Sequence, residues 1–237
     1  MTPQPSWSGP WRGARLQIWR VAVAGHSWPA GLLADPDERA RAERYLNPGA
    51  RNAFIACRTV LRQAASAATG LAPEALALPA KPPGKPAFSG PAAGIHFNIA
   101  HSGGTALVAL SPNGPLGIDL EELRPLRDAE ALARKAFTAG ETEALVRRSF
   151  DVRAFFACWT RKEAVVKALG SGIARDFPHF SVSVDPDEAA PAVRWLDEPA
   201  PPVELRTLAC PGAIAALATW GPPPEWSLND WPSNRGL

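Results

Sequence analysis

The 237-residue sequence is poor in the features that mark a secreted, membrane-embedded or nucleic-acid-tracking protein. It has three cysteines, Cys57, Cys158 and Cys210, odd in number, far apart and without a Cys-x-x-Cys pair. That argues against a disulfide framework or a zinc site and for reduced core thiols. No uninterrupted apolar run is long enough to cross a bilayer. The first ten residues lack a basic start followed by an apolar stretch, so a signal peptide is not expected and a cytoplasmic location is. The formal net charge of +2 is too small to argue for nucleic acid. Arginine greatly outnumbers lysine, however, and its guanidinium is the better bidentate partner for phosphate. No P-loop and no Gly-x-Gly-x-x-Gly occurs, which disfavours a kinase or a dinucleotide-binding enzyme.

What is present supports a folded core: 46% of residues are hydrophobic and 20% charged. Residues 16–23 read as a first strand. Asp35-Pro36-Asp37-Glu38 has the form of a helix start, with a carboxylate cap and proline in the first turn, and predicts a helix to about residue 45. A second helix is predicted from Pro48 to Gly70. Residues 79–94 read as a loop, followed by strands over 95–99, 106–110 and 117–121. Thr138 and Glu141 form a capping box that opens a further helix. A long helix over 152–169 is stopped by Gly170. Strands follow over 180–184, 203–208 and 214–219, with an acidic, proline-rich connector at 186–202. Residues 1–13 and 221–237 read as irregular tails. Strands and helices are grouped and the order recurs, which predicts an α+β fold of two similar halves, 1–112 and 113–237.

Two short segments carry the chemistry. In Gly117-Ile118-Asp119-Leu120-Glu121, residues two apart on a strand share a face, so Asp119 and Glu121 point the same way. In Trp159-Thr160-Arg161-Lys162-Glu163-Ala164-Val165-Val166-Lys167, Glu163 and Lys167 lie four apart on one helix face. Alone, that second pair reads as a surface salt bridge worth about 0.2–0.5 kcal/mol. Phe155, Phe156, Trp159 and Val166 make the same helix largely apolar, which points to a packed environment. Three hard oxygen ligands beside a fixed ammonium suit Mg²⁺ and a polyphosphate.

The paired signature G-I-D-L-E and W-T-R-K-E-A-V-V-K-A-L-G, about forty residues apart, resembles that of the 4′-phosphopantetheinyl transferases. The extra N-terminal half is similar to the surfactin-type (Sfp-like) branch rather than the small trimeric synthases. Phe97-Asn98-Ile99-Ala100-His101-Ser102-Gly103 resembles the family's F-N-x-S-H-S-G segment, with Ala100 where serine is usual. Gly84-Lys85-Pro86 resembles its G-K-P loop, and Phe180-Ser181-Val182 its F-S-V strand. Arg44-Tyr45, Arg51 and Arg58 to Arg62 resemble its basic N-terminal helices. The resemblance implies two pseudo-repeat halves, each a small, mainly antiparallel sheet packed with helices. It also implies transfer of the phosphopantetheine arm of coenzyme A to a serine of an apo acyl or peptidyl carrier protein, releasing adenosine 3′,5′-bisphosphate. By position, Asp119, Glu121 and Glu163 are expected to hold Mg²⁺, and Lys167 to contact a phosphate. His101, Lys85, Arg44 and Arg51 are expected to bind coenzyme A. Glu163 or a metal-bound water takes the serine proton. A monomer is expected.

Arg124, Arg127, Arg134 and Lys135 form a basic stretch that reads either as a solvated face or as a docking surface for an acidic carrier. Two other functions fit the acids and the lysine: a Mg²⁺-dependent nuclease or phosphohydrolase, and a coenzyme A-binding module without catalysis. No basic–aromatic interleaving suggests a nucleic-acid track.

Overall fold

A computed structural model describes residues 9–78, 85–170, 177–196 and 202–232. Gly84 of the G-K-P loop and Ser171 and Gly172 beyond the signature helix lie outside the described residues. The chain divides into two compact units, residues 1–115 with 224–237, and residues 116–223.

The first unit is a four-stranded sheet under two helices. Strands β1 (Leu16–Ala22), β2 (His96–Ser102) and β3 (Thr105–Ser111) pair antiparallel in the order β2-β3-β1. Helix α1 (Pro36–Glu43) starts as its sequence requires: the Asp35 side chain accepts from the Asp37 N–H at 2.8 Å, with Pro36 in the first turn. Helix α2 (Pro48–Thr69) is capped by the Asn47 side chain and ended by Gly70 in the left-handed conformation, as glycine at that position permits. Its buried face, including Ala53, Ile55, Ala56, Val60 and Leu61, joins Val21, Phe97, Val108 and Leu110 of the sheet in one core. Arg62, nearly inaccessible on α2, donates to Glu38 at 3.1 Å and to Asp35 at 3.3 Å, so this arginine ties α1 to α2.

The second unit begins at β4 (Leu116–Glu122). After it come α3 (Ala129–Ala136), α4 (Ala139–Arg147), α5 (Val152–Leu169), a two-stranded pair β5 (Phe180–Ser181) and β6 (Arg194–Trp195), β7 (Val203–Leu208) and β8 (Ala213–Trp220). Strands β4, β8 and β7 form an antiparallel sheet in that order. Helix α5 packs across it and is buried almost all round; Phe155, Phe156, Ala164, Val165 and Val166 are each at most 3% exposed. Each large apolar side chain so buried contributes about 1.5–3 kcal/mol. The α+β fold with small, mainly antiparallel sheets packed by helices is therefore the one observed.

Three local expectations change. The predicted strand over 180–184 is paired only at Phe180–Ser181, because the Val182 N–H donates to the Glu141 carboxylate at 2.8 Å instead of to a strand. Helix α3 occupies a stretch given no element by its sequence. The C-terminal residues read as an irregular tail contain β9 (Trp226–Asp230), which pairs parallel to β1 and completes the first sheet.

Candidate active site

The face of β4 that carries Gly117, Asp119 and Glu121 lies against α5, and Gly117 sets how close the two elements come. A Cβ built at Gly117 would sit 2.0 Å from the Ala164 carbonyl oxygen, 2.5 Å from the Ala168 nitrogen and 2.9 Å from Lys167 Cβ. Only a residue without a side chain allows this approach. It brings the two signature segments together: Lys167 Nζ donates to Asp119 Oδ1 at 2.6 Å and to the Ile118 carbonyl at 3.3 Å.

Asp119 is 7% exposed, and its second oxygen, Oδ2, is buried without a hydrogen-bond partner among the described residues. Burial pushes its carboxyl up to about 6, against the pull of the Lys167 ammonium, with Glu121 adding a smaller upward push. Glu163 is 5% exposed, and burial, then the Asp119 charge, raise its carboxyl to about 7; Lys167 opposes this and Glu121 again adds to it. The three carboxylates thus feel one another. Glu121 is held by Arg124, whose Nη1 donates to Oε2 at 2.8 Å.

The lysine that sequence spacing offered as a partner for Glu163 also bonds across to Asp119. The signature's other cations, Arg161 and Lys162, were not singled out from sequence and are fully buried. Lys162 Nζ is 3.0 Å from Glu141 and donates to the carbonyls of Phe177 and Phe180, each at 2.6 Å. Arg161 donates to the carbonyls of Ser183 and Glu188 and to the Thr207 hydroxyl. Both serve packing: they fix the two sides of α5 so that Glu163 and Lys167 face β4. A lysine or arginine in a helix reads by default as exposed, and only the near-continuous apolar flanks hint otherwise.

A second set of predicted residues meets within the first unit. Lys85 and His101 line a cavity of about 250 Å³ together with Arg41, Tyr45, Phe54 and Arg58. The guanidinium of Arg41 lies 5.0 Å from the Phe54 ring centroid and that of Arg58 5.7 Å. Arg58 Nη1 is buried without a partner among the described residues, and burial lowers its pKa. A concave site with an unmet guanidinium N–H is suited to an anion. Arg44 and Arg51 are exposed and do not line this cavity. A larger cavity of about 840 Å³, between α4 and the β5–β6 segment, holds none of the predicted site residues.

The comparisons with known proteins agree with the signature. Residues 115–216, the stretch from β4 into β8, match the model of the 4′-phosphopantetheinyl transferase superfamily. The 4′-phosphopantetheinyl transferase HetI of a Nostoc species is 36% identical over 186 residues, which cover 74% of this chain and 76% of that protein. A putative 4′-phosphopantetheinyl transferase of a Synechocystis species is 31% identical over 206 residues, 84% of this chain and 76% of its own. A 4′-phosphopantetheinyl transferase of Bacillus subtilis is 28% identical over 170 residues, 71% of this chain and 74% of its own. The chain belongs to the 4′-phosphopantetheinyl transferase family. Within it the superfamily match covers both signature segments, at β4 and α5. Neither a nuclease nor a binding module without catalysis is among these relatives.

Proposed function

We propose that this chain transfers the 4′-phosphopantetheine arm of coenzyme A to a serine hydroxyl of an apo carrier protein, as a surfactin-type member of the family. The observation that carries this reading is the meeting of the signature segments, with Lys167 2.6 Å from the buried Asp119 and Glu163 alongside. The surfactin-type assignment draws support from relatives aligned over as much as 84% of the chain, beyond the second unit alone.

In the reaction the serine oxygen forms a bond to the phosphorus that bears pantetheine. The bond from that phosphorus to the bridging oxygen breaks, and adenosine 3′,5′-bisphosphate leaves. Catalysis of this kind is mainly positioning and charge neutralisation. Lys167 places an ammonium, already oriented by Asp119, beside the transferring group. Glu163, beside Asp119 in the same site, is proposed to take up the serine proton. In the first unit, Lys85 and His101, with Arg41 and Arg58 beside them, are proposed to receive the phosphates of coenzyme A; the exposed Arg44 and Arg51 are proposed as further contacts.

Mg²⁺ is part of the proposal. The donor set, three carboxylates, is that of a hard cation, and the Oδ2 of buried Asp119 is an acceptor with no donor among the described residues. The chemistry of these donors suits the ion, with Asp119, Glu121 and Glu163 as its proposed holders; their side chains have to shift to gather round it, since no ligating cluster stands formed among the described residues. When bound it would supply charge neutralisation at the pyrophosphate. The partner is proposed to be acidic and to dock on α3 and the residues just before it, where Arg127, Leu132, Arg134 and Lys135 are exposed, Arg134 being paired with Glu130 at 2.7 Å. Charge reversal at Arg127 and Arg134 is expected to raise the KM for carrier while leaving coenzyme A binding intact; unchanged carrier kinetics would remove the docking assignment. A cytoplasmic monomer is proposed; no helix among the described residues is long and apolar enough to cross a membrane.

Intact mass spectrometry of an apo carrier incubated with this protein, coenzyme A and Mg²⁺ tests the function. A gain of about 340 Da, the phosphopantetheinyl group joined through a P–O bond, is expected with the wild type and not with Asp119→Ala. No gain on several unrelated carriers, or full gain with the variant, overturns the activity or the site respectively.

A further inference from the structure

We infer that Arg124 is a displaceable latch on the metal site, holding Glu121 until a divalent cation takes its place. The inference rests on the metal reading above and concerns a residue just past β4 that no signature segment contains.

Three contacts fix the Arg124 guanidinium. Its Nη1 donates to Glu121 Oε2 at 2.8 Å and to the Glu122 carbonyl at 3.2 Å. Its centre lies 5.0 Å from the ring centroid of Phe156. Phe156 is 3% exposed, packed edge-on against Phe155, and stands on α5 two turns before Glu163. Arg124 therefore bridges the end of β4 to the helix that supplies the third acid, and it pins Glu121 between them.

The charges then match in pairs. Lys167 answers Asp119, and Arg124 answers Glu121. Among the described residues no three acidic, histidine or cysteine side chains stand ready as a metal cage. Physical chemistry supplies a reason: two of the three carboxylates already direct an oxygen at a protein cation. A dication that gathers all three has to loosen one of those holds. Exposure decides which. Each cation also has a carbonyl acceptor, so exposure is what separates them: the Lys167 side chain is 25% exposed and faces a carboxylate 10% exposed. The Arg124 side chain is 50% exposed and Glu121 21%. Solvated pairs are weak, and a dication outcompetes one guanidinium at a carboxylate. Arg124 yields first.

The test is direct binding of Mn²⁺, a probe for the Mg²⁺ site, followed by the electron paramagnetic resonance of the free ion. Wild type, Arg124→Ala, Arg124→Lys and Asp119→Ala are compared, with no substrate present. Removing the competing cation is expected to tighten Mn²⁺ binding about two- to fivefold in Arg124→Ala, the range set by the strength of an exposed pair. Arg124→Lys, which keeps the charge without the fork, is expected to fall between that variant and the wild type. In the wild type the Arg124 Nε–H nuclear magnetic resonance is expected to move as Mg²⁺ is added, and to stay still in Asp119→Ala. Equal or weaker binding by Arg124→Ala, with wild-type binding normal, overturns the latch and leaves the metal reading standing. Absence of Mn²⁺ binding by the wild type removes both.

Discussion

Gly117 shows how one missing side chain can set a site. The neighbours that a Cβ would strike are backbone atoms of α5, at 2.0 and 2.5 Å, and a helix backbone cannot rotate away as a side-chain end can. Gly117→Ala must therefore push β4 and α5 apart, and Lys167 then loses its 2.6 Å contact with Asp119. Overpacking of this kind costs about 1–3 kcal/mol, which for a chain of this size lowers the Tm by roughly 2–12 °C. A thermal melt of Gly117→Ala that overlays the wild type would refute the close-approach account. Sequence spacing brought out this residue's neighbours without its reason. That Asp119 and Glu121 share one face of β4, and Glu163 and Lys167 one face of α5, was readable from strand and helix periods; that the two pairs belong to one site was implied by the family resemblance. Arg58 and Arg124 were not legible as individuals, because an arginine's partner lies in space and not along the chain.

At the scale of elements, α5 is anchored by its fully buried lysine. Lys162 and Glu141 are 0% and 2% exposed at the side chain, 3.0 Å apart, and Glu141 also accepts from the N–H groups of Thr138 and Val182. One carboxylate thus caps α4, anchors the chain after β5 and neutralises a lysine of α5. Replacing Lys162 by Met leaves that carboxylate buried without its cation, which costs about 3–5 kcal/mol. The double variant Lys162→Met with Glu141→Gln is expected to cost less than the sum of the single changes, since the uncompensated charge is then gone. Urea denaturation of the four proteins measures the coupling, and strict additivity would show that the pair does not act as a unit. The capping box was readable at Thr138 and Glu141, and it is present. The reach of Glu141 to Lys162 and Val182 was not, since capping explains the residue completely on local grounds. The same distant bond is why the strand expected over 180–184 ends after two residues.

For the whole molecule, the least legible feature is the return of the C-terminal chain to the first unit. Residues 221–237 are rich in proline, glycine and tryptophan, and local composition reads them as a tail. A strand that pairs with a partner more than two hundred residues away leaves no periodic mark in so short a segment. Yet β9 runs parallel along β1 from Leu16 opposite Trp226 to Arg20 opposite Asp230. The Arg20 side chain grips Asp230 with two hydrogen bonds of 2.6 and 2.9 Å, and Trp231 packs edge-on against Trp19 at 5.3 Å. The carboxyl of Asp230 is held below its usual range by the hydrogen bonds from Arg20. Removing residues 224–237 strips β1 of this cover and leaves an open strand edge, which exposes backbone groups and favours association between copies. The truncated chain is expected to show faster amide exchange along β1 than the full chain, together with concentration-dependent self-association in sedimentation. Unchanged protection of the β1 amides after truncation would mean that β9 is a loose appendage, and that β1 and β3 alone hold the first sheet closed.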